Sequence, residues 1–211
     1  MNCRLSYALV FTLPLLLPLK AQGQQQEEDN TFGGWEFVEV NYNFKKIPVF
    51  ASFYFEHDNF QYQRTECWYT RTTVGVNLLP WLSTDVVWDY LKEPSSYCHK
   101  FMLDVTGTLK QGPFKVSIRE RLVHTWTPST GSHSDLLRSR LKVQYVFPHS
   151  NWSPYLALET FTWKDWQKSR HYVGCYYNFS KTVQAEFYYI YYVFKDHPAE
   201  HVLGIGLNFY F

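Results

Sequence analysis

Hydrophobic and polar residues alternate along most of the chain, from residue 32 to residue 211, which is the period-two pattern of β-strands with one apolar face. Phe101, Leu103 and Val105 fall on one face of such a run, and Asp104 falls on the other. No helical periodicity extends over a comparable length, so the sequence predicts an all-β fold. Eleven strands are predicted, at about 33–44, 49–58, 67–79, 82–92, 99–110, 113–126, 136–147, 154–163, 169–179, 182–194 and 201–211.

The length of these runs favours strands that cross a membrane. Strands of soluble proteins usually have about five or six residues, whereas a strand needs about 9–11 residues to span a bilayer. The predicted runs are of the longer kind, and tryptophans concentrate near their ends, as in the aromatic girdles of membrane barrels. These tryptophans are Trp35, Trp68, Trp81, Trp126, Trp152, Trp163 and Trp166. The sequence therefore predicts a transmembrane antiparallel up-and-down β-barrel.

The number of runs conflicts with a rule for such barrels. Single-chain bacterial barrels have an even number of strands, with both ends of the chain in the periplasm. We therefore expect ten to twelve strands, prefer twelve, and place the discrepancy in the first hairpin. With Phe211 in the periplasm, the longer connections are expected outside, near 59–66, 93–98, 127–135, 164–168 and 195–200.

The two ends of the chain indicate export to an outer membrane. Residues 1–21 have Arg4, an apolar stretch and Ala21 before a polar run, which are the features of a secretory signal peptide. Residues 22–31 are interpreted as a flexible leader and residues 32–211 as the barrel. The last strand alternates strictly and ends on an aromatic residue, like the signal by which barrels are recognised for assembly. That signal comprises Leu203, Ile205, Leu207, Phe209 and Phe211. The expected location is the outer membrane of a Gram-negative bacterium, with its lipid and barrel-assembly machinery as partners.

Composition supports this interpretation. Aromatic residues make up 20% of the chain and charged residues only 18%. A soluble domain has about 25% charged residues, so this chain has too few charged residues to cover its aromatic side chains with a water-facing surface. The formal net charge of +1 gives no reason to expect nucleic acid as a partner. Outside the first twenty residues, no apolar run approaches the roughly 18 residues of a membrane-spanning helix.

Several sequence runs resemble one family. They are FGGWEFVEVNYNF at 32–44, SIRERL at 117–122, LLRSRLKVQY at 136–145 and PYLALETF at 154–161. With the signal peptide, they make the chain similar to the outer-membrane barrel family named domain of unknown function 2490, common in Bacteroides-like Gram-negative bacteria. The resemblance covers residues 32–211 and implies the barrel fold. It brings no established activity and no catalytic residues.

Alternation assigns most charged residues to the interior of the predicted barrel. The basic residues of this lumen form a predicted ladder of Arg71, Lys115, Arg119, Arg121, Arg138, Arg140, Lys142 and Arg170. The expected acidic partners are Asp85, Asp89, Asp104, Glu159 and Glu186. Two functions stay open at this point. A basic excess suits a narrow, porin-like channel for small anionic solutes, such as an acidic metabolite or sugar acid, whereas complete pairing would give a closed, salt-bridged lumen in a structural or interaction barrel.

A lipid-modifying or hydrolytic outer-membrane enzyme is the third function considered. His133, Ser134 and Asp135 in one predicted loop, and His57 beside Asp58, are its only candidates, and neither forms a nucleophile motif. We therefore predict no enzymatic activity and no catalytic residue. Metal-ligand spacings are lacking, so no metal and no cofactor are expected. A disulfide between Cys67 and Cys98 is left open, since both have inward parity in an oxidising envelope.

Overall fold

The computed structural model describes residues 31–60 and 64–211, which form a single closed β-barrel. The predicted signal peptide, and all of the predicted leader except Thr31, lie outside the described residues. None of the described residues form a helix long and apolar enough to cross a bilayer. The strands are β1 (Thr31–Asn43), β2 (Val49–Phe60), β3 (Arg64–Leu79), β4 (Leu82–Lys92), β5 (Tyr97–Gln111), β6 (Phe114–Thr127), β7 (Ser132–Tyr145), β8 (Trp152–Trp163), β9 (Asp165–Asn178), β10 (Val183–Phe194) and β11 (Glu200–Tyr210).

The all-β barrel is confirmed, and the preference for twelve strands is wrong. Each strand pairs antiparallel with its neighbours in the sequence, and β1 then closes the barrel on β11 in parallel, in a register that runs from Thr31 opposite Glu200 to Asn41 opposite Tyr210. A ring of alternating strands with an odd count must contain one parallel pair. The first hairpin is regular, with Gly33 opposite Phe60 and Asn43 opposite Phe50, so it was wrong to place the discrepancy there.

The parallel closure places the start of β1 and the end of β11 at opposite ends of the barrel. We call the end that carries Thr31 and Glu200 the entry mouth, and the end that carries Phe211 the exit mouth. Connections at both mouths have one to six residues. The expected set of longer loops at one end is therefore absent, because the strands continue into residues that the sequence had suggested were loop.

The outer face of the barrel is largely apolar, whereas the buried charged side chains lie inside, beside apolar clusters such as Val87, Met102 and Val123. Val86 and Leu156 are each 60% exposed on the outer face, whereas Asp89, Asp104 and Glu159 are at most 2% exposed in the lumen. This arrangement inverts that of a soluble domain, in which charged side chains cover the surface. The outward residues of β11 follow the same pattern, since Leu203, Ile205 and Leu207 are all exposed.

Tryptophans near the strand ends lie on the outer face in most of the predicted positions. Trp68, Trp81, Trp126 and Trp152 are all exposed, as aromatic girdles require. Trp35 is different: it pairs with Gly204 at a lumen-facing position, and the Arg170 guanidinium lies 4.8 Å from the centre of its ring. The prediction that Trp35 belongs to a girdle is wrong, because its position on β1 has inward parity.

Glycines in the wall make room for lumen aromatics. A Cβ atom on Gly204 would lie 2.0 Å from the ring of Tyr188, and one on Gly206 would lie 2.2 Å from the ring of Phe37. Tyr188 and Gly204 are opposite each other in the β10–β11 register. Each ring therefore lies flat against the neighbouring strand, where a glycine leaves the backbone uncovered.

We expect Gly204→Ala to destabilise the barrel by about 1–3 kcal/mol, because the added methyl group overlaps the Tyr188 ring. The matched control is Gly107→Ala, since a Cβ atom there meets nothing within 4 Å. Urea unfolding in detergent micelles, followed by tryptophan fluorescence, measures both variants. Equal stability of the two variants would show that packing of the Tyr188 ring does not require a glycine at position 204.

Candidate functional site

The lumen has a basic side and an aromatic side. Strands β6 and β7 supply the arginine and lysine side chains of the basic side, because every second residue of SIRERL and LLRSRLK points inward. Strands β8, β9, β10, β2 and β3 supply tyrosines to the other side. The tyrosines that line the central lumen are Tyr54, Tyr69, Tyr155, Tyr172, Tyr176 and Tyr188. The sequence analysis placed tryptophans in the girdles and identified none of these tyrosines, although Tyr172 shares its parity with Arg170.

Glu159 is the centre of the charged network. Its Oε1 atom accepts hydrogen bonds from Arg119 Nη2 at 2.8 Å and from Arg138 Nη2 at 3.0 Å. Arg170 Nη1 lies 3.8 Å from its Oε2 atom, to which the Tyr172 hydroxyl donates at 3.3 Å. Three arginines from three strands thus share one carboxylate that is 1% exposed.

Two other buried carboxylates each bind one arginine side-on. Asp104 accepts from Arg121 Nε at 2.6 Å and from Arg121 Nη2 at 2.5 Å. Asp89 accepts from Arg71 Nε at 2.9 Å and from Arg71 Nη2 at 3.0 Å, and the Tyr69 hydroxyl also donates to it. Such bidentate pairs hold the guanidinium plane in one orientation, which fixes these two arginines to the wall.

Three members of the predicted ladder have no acidic partner. The ion pairs within 4.0 Å among the described residues do not include Arg140, Lys142 or Lys115. Arg140 stacks on Tyr172, with 5.1 Å between its guanidinium carbon and the ring centre, and its Nε atom is buried without a hydrogen-bond partner. Together with Lys100 in the central cavity, these three residues are the cavity-lining cations without an ion pair in the described part of the chain.

Two connected cavities lie in the part of the lumen that the described residues line. The central cavity has a volume of about 330 Å³ and is lined by Arg140, Glu159 and Lys142 among others. The exit cavity, of about 310 Å³, lies nearer the exit mouth and is lined by Lys115, Lys142 and Tyr176 among others. Lys142 and Tyr176 are the two lining residues that the cavities share. Arg140, Lys142 and Lys115 therefore follow the lumen from one cavity into the next.

The predicted acidic partners divide into two groups. Asp89, Asp104 and Glu159 form ion pairs with ladder arginines. Glu186 instead accepts a hydrogen bond from the Tyr155 hydroxyl at 2.5 Å. Asp85 faces Asp104 across β4 and β5, and no ion pair within 4.0 Å joins it to a described residue. The lumen thus contains some acidic side chains that form ion pairs and others that do not.

Both cysteines of the disulfide left open by the sequence are free thiols. Cys67 lies on β3 and Cys98 on β5, with β4 between them. Two strand spacings amount to about 9–10 Å, which exceeds the reach of a disulfide. The Cys67 thiol donates instead to Asp58 Oδ2 at 3.0 Å.

The histidine candidates lie on the outer face near the entry mouth, where His124 joins His133 to Asp135 and leaves out Ser134. His124 Nδ1 is 2.8 Å from Asp135 Oδ1, and His124 Nε2 is 3.2 Å from His133 Nδ1, whereas Ser134 has the opposite parity. His57 contacts Glu36 at 2.9 Å and points away from Asp58. Among the described residues, no group of three or more histidine, cysteine or acidic residues is placed to hold a metal ion.

Comparisons with known proteins agree with this architecture. A family model described as "Protein of unknown function (DUF2490)" matches residues 32–202. The KdgM porin has a similar fold, with a TM-score of 0.51 at 12% identity over 73% of this chain and 81% of that chain. The NanC porin also has a TM-score of 0.51, at 10% identity over 81% of this chain and 90% of that chain. No protein of curated function matches the sequence significantly.

We expect Glu159→Gln to destabilise the barrel by about 3–5 kcal/mol, because it removes the buried carboxylate that three half-buried arginines share. The matched control is Asp165→Asn, which breaks the exposed ion pair with Lys195 and should change stability little. Urea unfolding of both variants in micelles gives the comparison. Similar midpoints for the two variants would contradict a central role for Glu159.

Proposed function

We propose that this chain, which belongs to the DUF2490 family of proteins of unknown function, is an outer-membrane channel that prefers small anions. The observation that carries the proposal is the series of cations without acidic partners, Arg140, Lys142 and Lys115, which runs through both cavities. A lumen whose cations were all neutralised would give no such preference.

The outer surface supports a location in a membrane. Strands of 11–16 residues are long enough to span a bilayer, and every strand is paired on both sides within the closed barrel. In hydrocarbon an unpaired backbone group costs several kcal/mol, so closure is what such a location requires. The signal peptide and terminal assembly signal inferred from the sequence support the outer membrane as the destination.

The electrostatics of the central cavity favour an anion. Five arginines and two lysines line it against five carboxyl groups, Glu39, Glu56, Asp58, Glu159 and Glu186, so positive charge is in excess. Arg140 presents a planar guanidinium that suits a carboxylate or another oxyanion. Lys142 follows it on the same face of β7, about 7 Å further along the strand. An anion can therefore pass from one cation to the next over short steps.

Cavity size limits the solute. The central cavity of about 330 Å³ corresponds to the volume of about ten water molecules. This volume suits a metabolite with a few carbon atoms or a single sugar acid at any one time. The tyrosines opposite the arginines add hydroxyl groups and ring faces for the uncharged part of such a solute.

A closed structural or interaction barrel is the second candidate. The shared carboxylate of Glu159 and the bidentate pairs at Asp104 and Asp89 favour it, because they use arginines that a channel could otherwise offer to solutes. Both candidates have the same fold and location. They differ in whether current passes through the lumen.

Purified protein in planar lipid bilayers should conduct and should select for anions in a potassium chloride gradient. Arg140→Gln should lower the anion-to-cation permeability ratio by about sevenfold, since a unit charge about 7 Å from a passing ion in water favours an anion and disfavours a cation by about 0.6 kcal/mol each. Lys45→Gln is the control, because Lys45 lies in the turn of 44–48 and lines neither cavity. Conductance no greater than that of protein-free bilayers would favour the closed barrel.

A further inference from the structure

The two cavities meet at a contact between a lysine and a tyrosine. Lys142 on β7 and Tyr176 on β9 line both cavities, and the Lys142 ammonium donates a hydrogen bond to the Tyr176 hydroxyl. The ammonium also lies 4.4 Å from the centre of the Tyr176 ring and 3.9 Å from that of Tyr155. A solute that moves between the cavities must pass these side chains.

The tyrosine beneath Lys142 is held in place. The Tyr155 hydroxyl donates to Glu186 Oε1 at 2.5 Å, and its ring lies over Gly174, where a Cβ atom would be 2.4 Å away. Tyr155 is therefore a rigid platform. Lys142, in contrast, carries its charge on a flexible four-carbon stem and has no carboxylate within 4.0 Å among the described residues.

The partner of Lys142 is one that an anion can replace. A neutral hydroxyl is a weaker partner for an ammonium than a carboxylate or another oxyanion, since it offers the ammonium a dipole and not a full opposite charge. An oxyanion that arrives from the central cavity, where Arg140 lies two residues away on the same strand, would compete directly with the Tyr176 hydroxyl for Lys142.

We propose that the Lys142–Tyr176 contact is the gate between the central cavity and the exit cavity, and that a small oxyanion opens it by taking the place of the Tyr176 hydroxyl on Lys142. This inference rests on the proposed channel function and identifies the element that regulates it. In the closed state the hydrogen bond holds the ammonium against the tyrosines. In the open state Lys142 binds the passing anion and swings with it towards Lys115 in the exit cavity.

Two variants separate the contact from the charge. Tyr176→Phe removes the hydroxyl and keeps the cation, so the closed-to-open ratio in single-channel recordings should fall by about tenfold while anion selectivity is retained. Lys142→Met removes both the contact and the cation, so the channel should open readily but lose most of its anion selectivity. Tyr210→Phe is the matched control, because Tyr210 lines the same exit cavity and its hydroxyl donates to Gln184 at 3.2 Å.

Acetate, added to potassium chloride, serves as the oxyanion probe. It should raise the open probability of the unmodified protein and of Tyr210→Phe, and leave that of Tyr176→Phe and Lys142→Met unchanged. If the unmodified protein conducts and Tyr176→Phe behaves like Tyr210→Phe, the gate is wrong and the channel stands. If neither the unmodified protein nor any variant conducts, the channel itself is wrong, and the gate with it.

Discussion

The parallel pairing of β1 with β11 is the constraint on which the rest of the barrel depends. A closed wall is required because a strand edge in hydrocarbon would leave its backbone groups unpaired. With eleven strands, closure is possible only through one parallel pair, and Thr31 to Asn41 supply it opposite Glu200 to Tyr210. A slip of one residue there would turn the side chains of a strand to the other face, so the seam also fixes which residues enter the lumen. Glycines at 204 and 206, covered by Tyr188 and Phe37, mark this register.

The register in turn decides how the charges combine. Arg119, Arg138 and Arg170 come from β6, β7 and β9, and they meet at Glu159 on β8, which lies in their midst. One carboxylate then satisfies several cations, and Arg140 and Lys142 are left without a carboxylate of their own. The same glutamate thus stabilises the wall and limits how much positive charge is neutralised. The stability of the wall and the proposed anion preference would both follow from the excess of arginines over acids around Glu159.

The fold was predictable because alternation is a local property. The predicted strand 82–92 coincides with β4, and the inward parity of the ladder holds on every strand of the basic side. β7 begins at Ser132 and not at residue 136, because His133 and Asp135 pair with Trp126 and His124 of β6 although their polar sequence resembles a loop. The predicted strand number was wrong because the rule that bacterial barrels have an even number of strands was preferred to the eleven strands that the alternation pattern indicated.

The site was less predictable because it depends on which strands are neighbours and in what register. Parity placed Glu159 and Arg170 inside the barrel, but it could not show that Arg119 reaches over β7 to the same carboxylate. For the same reason Cys67 and Cys98 share a parity and yet lie two strands apart. The lumen tyrosines were overlooked because a tyrosine can lie on either the lipid-facing or the lumen-facing side of a strand. Its position in the alternation shows which side only when charged residues on the same strand show which positions point inward.

The odd number of strands has an evolutionary consequence. A barrel that grows or shrinks by whole β-hairpins changes its strand count by two, so it keeps an even count even and an odd count odd. An eleven-stranded barrel and an even-stranded one are therefore separated by a step that adds or removes a single strand. Such a step moves one end of the chain to the other mouth and replaces an antiparallel closure by the parallel one seen between β1 and β11. Relatives with an even count would have had to cross that step, and their lumen registers need not correspond to this one.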